Sequence, residues 1–116
     1  MHSDNLIERK TYPEGANIFK DGDTGARAYI IQNGSVELYK NIDGNEKILA
    51  TVSKGAIVGE MSLISKGPRT ASARTAEPTT VIIVREAMFN EKMKKADPFI
   101  RGLLGILVDT VRNQNS

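Results

Sequence analysis

Two side chains in this sequence are of types that could grip an anion and a hydroxyl together. Arg69 is a fixed cation with a planar fork of donors, a shape that suits phosphate oxygens. Glu60 is an acceptor-only carboxylate at neutral pH, able to receive a bond from a sugar hydroxyl. They sit in the stretch Val58-Gly59-Glu60-Met61-Ser62-Leu63-Ile64-Ser65-Lys66-Gly67-Pro68-Arg69-Thr70-Ala71-Ser72. Gly59 permits a positive φ or a close approach of backbone. Met61 to Ser65 can make one helical turn, whose first N–H groups lack partners within the turn and would face an anion. Pro68 stiffens the approach to Arg69, and Thr70 adds a hydroxyl. Such a set would suit a ligand with a phosphate beside a ribose hydroxyl. Glu60 and Arg69 could instead pair with each other on the surface, a common arrangement worth little.

Other chemistries have little to stand on. The 116 residues include no cysteine and one histidine, His2. Disulfides and thiolate catalysis are excluded, and a histidine metal site or a Ser-His-Asp triad is disfavoured. We therefore expect no metal, no cofactor and no catalytic residue. The net charge of +2 does not announce a nucleic-acid binder, and direct DNA binding is not expected. No apolar run approaches the ~18 residues of a membrane span, and Met1 to Arg9 lacks a signal-peptide core. The expectation is a soluble, cytoplasmic domain with one modest core.

Glycines punctuate the elements that must position Glu60 and Arg69. Short apolar runs lie between them at Asn17–Lys20, Arg27–Asn33, Ser35–Ile42, Glu46–Val52, Ala71–Ala76 and Thr79–Arg85. Several are rich in Ile, Val, Thr or Tyr, and regular short strands with turn signals between them imply an antiparallel sandwich or barrel. Tyr29 and Ile31 should share one face of a strand, as should Val36 and Leu38. Asn33-Gly34 and Asp43-Gly44-Asn45 read as tight turns. Thr79–Arg85 is apolar on both faces, as a strand covered on both sides would be. Before the first run we expect a helical or irregular start. After Arg85 the pattern turns helical, with Met88, Phe89 and Met93 at helical spacing. Asp97-Pro98 then reads as an N-cap and first turn of a last helix to about Arg112. That helix carries two apolar stripes, one of Phe99, Leu103 and Ile106 and one of Ile100, Leu104, Leu107 and Val111. A single buried face would not need both. Lys92, Lys94 and Lys95 read as a solvated face.

The order of elements is mainly β with helices. It fits an eight-stranded antiparallel jelly-roll barrel at about 10–85, with C-terminal helices at about 86–112, in a single domain over 1–116.

The Gly59–Ala71 segment resembles the phosphate-binding cassette of cyclic nucleotide-binding domains, in which Gly-Glu-aliphatic-small-Leu is followed by Pro-Arg-(Thr or Ala)-Ala. Gly59-Glu60-Met61-Ser62-Leu63 and Pro68-Arg69-Thr70-Ala71 match it, at the family's spacing. Phe19-Lys20-Asp21-Gly22-Asp23, Tyr29-Ile30-Ile31 and Gly34-Ser35-Val36 resemble the family's early strands and turns. The resemblance covers roughly Leu6 to Val111. It implies a short phosphate-binding helix, with the two terminal helices as hinge and lid. Arg69 would meet the exocyclic phosphate oxygens and Glu60 the ribose 2′-hydroxyl. Gly59, Met61, Ser62, Thr70 and Ala71 would complete the pocket, with N–H groups of Ser62 and of Thr70 or Ala71 on the phosphate. The base would lie against Leu38, Ala50 and Val52, for which plain core packing carries equal weight. Arg112 is a candidate to reach the purine, although a solvated helix-end arginine is the simpler account. Thr70 after the arginine resembles members that accept or prefer cGMP, and also channel-type domains that respond to cAMP; the reading leans slightly to cAMP on the supposition of a bacterial source.

The family thus implies non-catalytic binding as a sensor or regulatory module, closing its lid helix on cAMP or cGMP. The output partner is not legible, and the last helix could also pair with a second copy as a homodimer. Two other classes compete. A metal-dependent cupin enzyme would need clustered histidines. A jelly-roll interaction or oligomerisation module with a vestigial pocket would keep the shape and lose the ligand.

Overall fold

The computed structural model describes residues 7–60, 63, 68–103 and 106. Among these are eight strands: β1 (Glu8–Tyr12), β2 (Asn17–Phe19), β3 (Arg27–Asn33), β4 (Ser35–Ile42), β5 (Asn45–Ser53), β6 (Ile57–Val58), β7 (Ser72–Thr75) and β8 (Thr79–Arg85). A helix, α1 (Glu86–Lys95), follows directly. The strands form two four-stranded sheets, ordered β1-β8-β3-β6 and β2-β7-β4-β5. All pairings are antiparallel. This is the jelly roll that the spacing of short strands implies.

Alternation decides which side chains enter the core. Tyr29 and Ile31 of β3, Val36 of β4, Ala73 of β7, and Val81 and Ile83 of β8 are buried together with Phe19 and Val58. Leu38 and Val52 pack against that cluster and are half-buried. The expected two-sided burial of Thr79–Arg85 is not met. Thr79, Val81 and Ile83 are buried, while Ile82 and Val84 on the other face are half-buried.

Two turns show how glycine sets the path. Asp43 and Gly44 both have positive φ, 53° and 82°, and Ile42 faces Asn45 directly. That is the two-residue turn whose twist matches a β-hairpin. Asn33-Gly34 behaves differently from expectation. It joins β3 to β4, which lie in different sheets, so it is a corner between sheets and not a hairpin. Gly34 has φ +102°, and a Cβ there would come within 2.6 Å of the Pro78 carbonyl. Thr79 Oγ1 seals the corner. It accepts from the Ser35 N–H (3.2 Å) and donates to the Glu77 carbonyl (2.8 Å).

The start of the chain also departs from the sequence expectation. Residues 8–12 are a strand, with Glu8 opposite Ile83 and Tyr12 opposite Thr79. Its sequence, Glu-Arg-Lys-Thr-Tyr, carries no apolar alternation because it is an edge strand exposed along nearly its whole length. Glu8 and Arg85 fix its end through two parallel 2.8 Å bonds.

Backbone contacts divide the chain into units 1–86 and 87–116. In the second, Met88, Phe89 and Met93 of α1 are half-buried, whereas Lys92, Lys94 and Lys95 are exposed as a solvated face should be. Asp97 caps the next helical segment, 98–103. Its Oδ1 accepts from the Phe99 N–H at 2.8 Å, and its carbonyl accepts from the Arg101 N–H at 3.0 Å. Phe99, Ile100, Leu103 and Ile106 are exposed. Leu104, Leu107, Val111 and Arg112 lie outside the described residues. No described helix is long and apolar enough to cross a membrane.

Replacing Gly34 by alanine should destabilise the barrel. Forcing an L side chain into that backbone conformation costs roughly 1–3 kcal/mol, and the Pro78 carbonyl must also move. Urea denaturation monitored by circular dichroism should show a lower midpoint than the wild type.

Candidate functional site

Arg69 is buried, at 7% exposure, so the surface-pair account of Arg69 and Glu60 does not hold. Burying a guanidinium is costly unless its donors are used. Nη1 donates to the carbonyl of Gly59 (2.9 Å) and Nη2 to the carbonyl of Arg27 (2.8 Å). The cation also lies over the Phe19 ring, with Cζ 4.3 Å from the centroid. Phe19 in turn stacks on Tyr29, with centroids 6.1 Å apart. Burial lowers the Arg69 pKa from its ordinary value, while the fields of Tyr29, Asp23 and Glu60 act in the opposite sense. Arginine stays charged throughout, since its ordinary value is so far above neutrality.

Glycines make room for this side chain. Gly59 has φ +75°, and a Cβ there would lie 2.5 Å from Arg69 Nη1. At Gly25 a Cβ would lie 2.6 Å from Nη2 and 2.9 Å from Nε. Gly59 therefore serves both purposes that its place beside Glu60 allowed, a special backbone angle and a close approach. Gly25, Phe19 and the Arg27 carbonyl are parts of the site that the sequence reading missed. Only the run Asp21-Gly22-Asp23-Thr24-Gly25, dense in turn residues and opposite no apolar pattern, could have hinted at it.

The backbone around Arg69 is tied as firmly as its head group. The Arg69 N–H donates to the Asp23 carbonyl and its own carbonyl accepts from the Gly22 N–H, both at 2.8 Å. The turn that receives these bonds is closed by Asp23, whose Oδ2 accepts from the Lys20 N–H at 2.9 Å. The Asp21 N–H reaches Ser72 Oγ at 2.9 Å, which joins the same turn to the start of β7.

Glu60 is half-buried and directly follows the Gly59 carbonyl to which Arg69 is bonded. Leu63 is buried, and its N–H donates to the Glu60 carbonyl at 3.0 Å, a bond of helical-turn type. Met61 and Ser62 lie outside the described residues. Thr70 is exposed and Ala71 half-buried. Lys40 of β4 donates to the Thr70 carbonyl at 3.1 Å.

Leu38 and Ala50 face each other across β4 and β5, as do Val36 and Val52. All four are on one face of the hairpin by strand alternation. Val36 is fully buried, yet Ala50 on that face is exposed. The inner face thus begins in the core and ends in the open. The structure brings Gly59, Glu60, Arg69 and Thr70 together at the ends of β6 and the approach to β7. It sets Leu38 and Val52 against the core and leaves Ala50 exposed.

A buried cation, Arg69, thus lies beside the Gly59-Glu60 segment in a jelly roll. The family model of the cyclic nucleotide-binding domain matches residues 9–96, and the chain belongs to that family. Over 86 residues it is 39% identical to a cyclic AMP receptor protein of Thermus thermophilus, covering 73% of this chain and 38% of that protein. An EAL enzyme, Bd1971, solved in a cAMP-bound form, superposes with a TM-score of 0.78 at 33% identity, covering 92% of this chain and 29% of that one. Its cGMP-bound form gives a TM-score of 0.81 at 32% identity, covering 93% and 29%. The chain spans less than half the length of the curated relatives it matches.

Substituting Gly25 by alanine should push the Arg69 guanidinium off its carbonyl partners. The expected loss of stability is roughly 1–3 kcal/mol, the scale of a hydrogen bond made by a charged group. Thermal unfolding of the ligand-free protein would register it as a lower midpoint.

Proposed function

We propose that the chain is a non-catalytic sensor that binds a 3′,5′-cyclic purine nucleotide, cAMP ahead of cGMP, and passes the signal to a partner or domain not yet known. One observation carries this: the buried Arg69 guanidinium, held by the Gly59 and Arg27 carbonyls directly beside Glu60. A cation kept in a low-dielectric setting attracts an anion far more strongly than one in water. Arg69 takes the exocyclic phosphate oxygens, and Glu60 accepts from the ribose 2′-hydroxyl. Backbone N–H groups of Ser62 and of Thr70 or Ala71 complete the phosphate nest, with Gly59 and Met61 shaping it. The base lies against Leu38, Ala50 and Val52, where the inner face of the hairpin opens to solvent. The order cAMP over cGMP is supported by the Thermus thermophilus relative. The EAL enzyme that holds either nucleotide keeps cGMP within reach.

Units 1–86 and 87–116 act in this reading as one regulatory module. Nucleotide shifts the helical unit toward a closed state, which requires that the closed state bind it more tightly. The exposed Phe99, Ile100, Leu103 and Ile106 favour a second copy as the cover for this apolar surface, giving a homodimer. Arg112 contributes to the base side if the closed state brings it there.

Titration calorimetry with cAMP and cGMP tests the central reading. Arg69→Lys should weaken binding by roughly tenfold or more, the scale of one charged hydrogen bond. Glu60→Gln should weaken binding of the ribose nucleotide while leaving the weaker affinity for the 2′-deoxy analogue nearly unchanged. Wild-type protein that takes up neither nucleotide would end the reading. Sedimentation equilibrium should show a dimer, and a monomer at high concentration would remove the proposed pairing.

A further inference from the structure

Lys40 has no part in the arrangement just described, yet its ammonium is seated on it. Along β4 the side chains alternate. Leu38 packs against the core. Tyr39 turns to the outer face, where the Arg74 guanidinium lies 4.3 Å over its ring and Asn17 Nδ2 donates to its hydroxyl at 2.7 Å. Alternation then returns Lys40 to the face that carries Leu38. From there Nζ donates to the Thr70 carbonyl at 3.1 Å. Lys47 stands directly opposite Lys40 in the β4–β5 register. Like charges so placed repel, and the Thr70 carbonyl gives the Lys40 ammonium a partner away from that repulsion.

The residues on either side of this carbonyl are already fixed. Arg69 is bonded through both backbone groups to Gly22 and Asp23, and Ser72 Oγ holds the Asp21 N–H. Between these anchors, the peptide that links Thr70 to Ala71 is the unit Lys40 holds. The carbonyl and N–H of a trans peptide point in opposite directions. A cation clamping the Thr70 carbonyl therefore sets the direction of the Ala71 N–H. It also draws electron density from the amide and makes that N–H a stronger donor.

We infer that Lys40 is a positioning residue for anion binding: by holding the Thr70 carbonyl, it aims and polarises the Ala71 N–H toward the phosphate of the ligand. This rests on the proposed nucleotide site and adds to it a residue on a strand outside the Gly59–Ala71 segment.

The full chain is compared as wild type, Lys40→Met and Lys40→Arg, titrated with cAMP and cGMP. Lys40→Met should lose roughly tenfold in affinity for whichever nucleotide the wild type binds more tightly, about the worth of one charge-assisted hydrogen bond. Lys40→Arg should restore most of it. Nitrogen–proton correlation spectra supply a readout that general weakening does not move. In the wild type the Ala71 amide proton should shift downfield on saturation with nucleotide, and in Lys40→Met that shift should shrink selectively. Unchanged affinity in Lys40→Met, an equal loss in Lys40→Arg, or an undiminished Ala71 shift would each overturn the inference. Failure of the wild type to bind either nucleotide would remove the site reading, and this inference with it.

Discussion

Everything around the site is arranged so that one guanidinium can stay charged while nearly out of water. Desolvating a cation costs several kcal/mol even after relaxation. The fold offsets that cost with two backbone carbonyls, from Gly59 and Arg27, and with the face of Phe19. The glycines at 25 and 59 are the steric side of the same requirement, since a methyl group at either would occupy space the guanidinium fills. The turn at Lys20–Asp23 is its backbone side, because it bonds both the N–H and the carbonyl of Arg69.

The outer face of the second sheet gives this arrangement a firm back. Arg74, one residue beyond the buried Ala73, pairs with Glu37 on β4 and Glu46 on β5 at 3.2 and 2.8 Å. Its pKa is raised by bonds to Glu46 and then Glu37, while that of Glu46 is lowered by Arg74. Glu46 is exposed, and Arg74 and Glu37 are half-buried near the surface, so water screens both pairs and each contributes little by itself. Their value is geometric. Arg74 ties three neighbouring strands together, β7 to its register neighbour on β4 and to Glu46 further along β5, and β7 is the strand into which the Arg69 segment runs.

Much of this could be read from the residues in order. The glycine, the acid, the proline and the arginine of the Gly59–Ala71 segment read as a candidate anion site, because backbone freedom and a forked cation are legible as residue types. Strands β3 and β4 were legible from apolar alternation, β8 from its apolar run, and the Asp43-Gly44 hairpin from its turn chemistry. What could not be read depended on distance across the fold. β1 has no apolar pattern because an edge strand needs partners for its backbone more than a buried face. Asn33-Gly34 looks like a hairpin turn in sequence, and only the position of Pro78 and Thr79 makes it a corner between sheets. Gly25 and Phe19 belong to the site because Arg69, far along the chain, comes to rest on them. Ala50 shows the same limit from the other side, since its exposure reflects where the inner face of a hairpin leaves the core. No residue type records that.

The pairing of β1 with β8 sets the first and last strands beside each other in one sheet, and the Glu8–Arg85 bridge puts the start of β1 next to the end of β8. A unit built this way has its entrance and exit at one spot. It can be spliced into a surface loop of a host protein without prying the host's own chain apart. The Asp43-Gly44 turn supplies a natural place to cut and rejoin the chain in a new order. Modularity of that kind is a property of the strand order itself, and it would hold whatever the pocket carries.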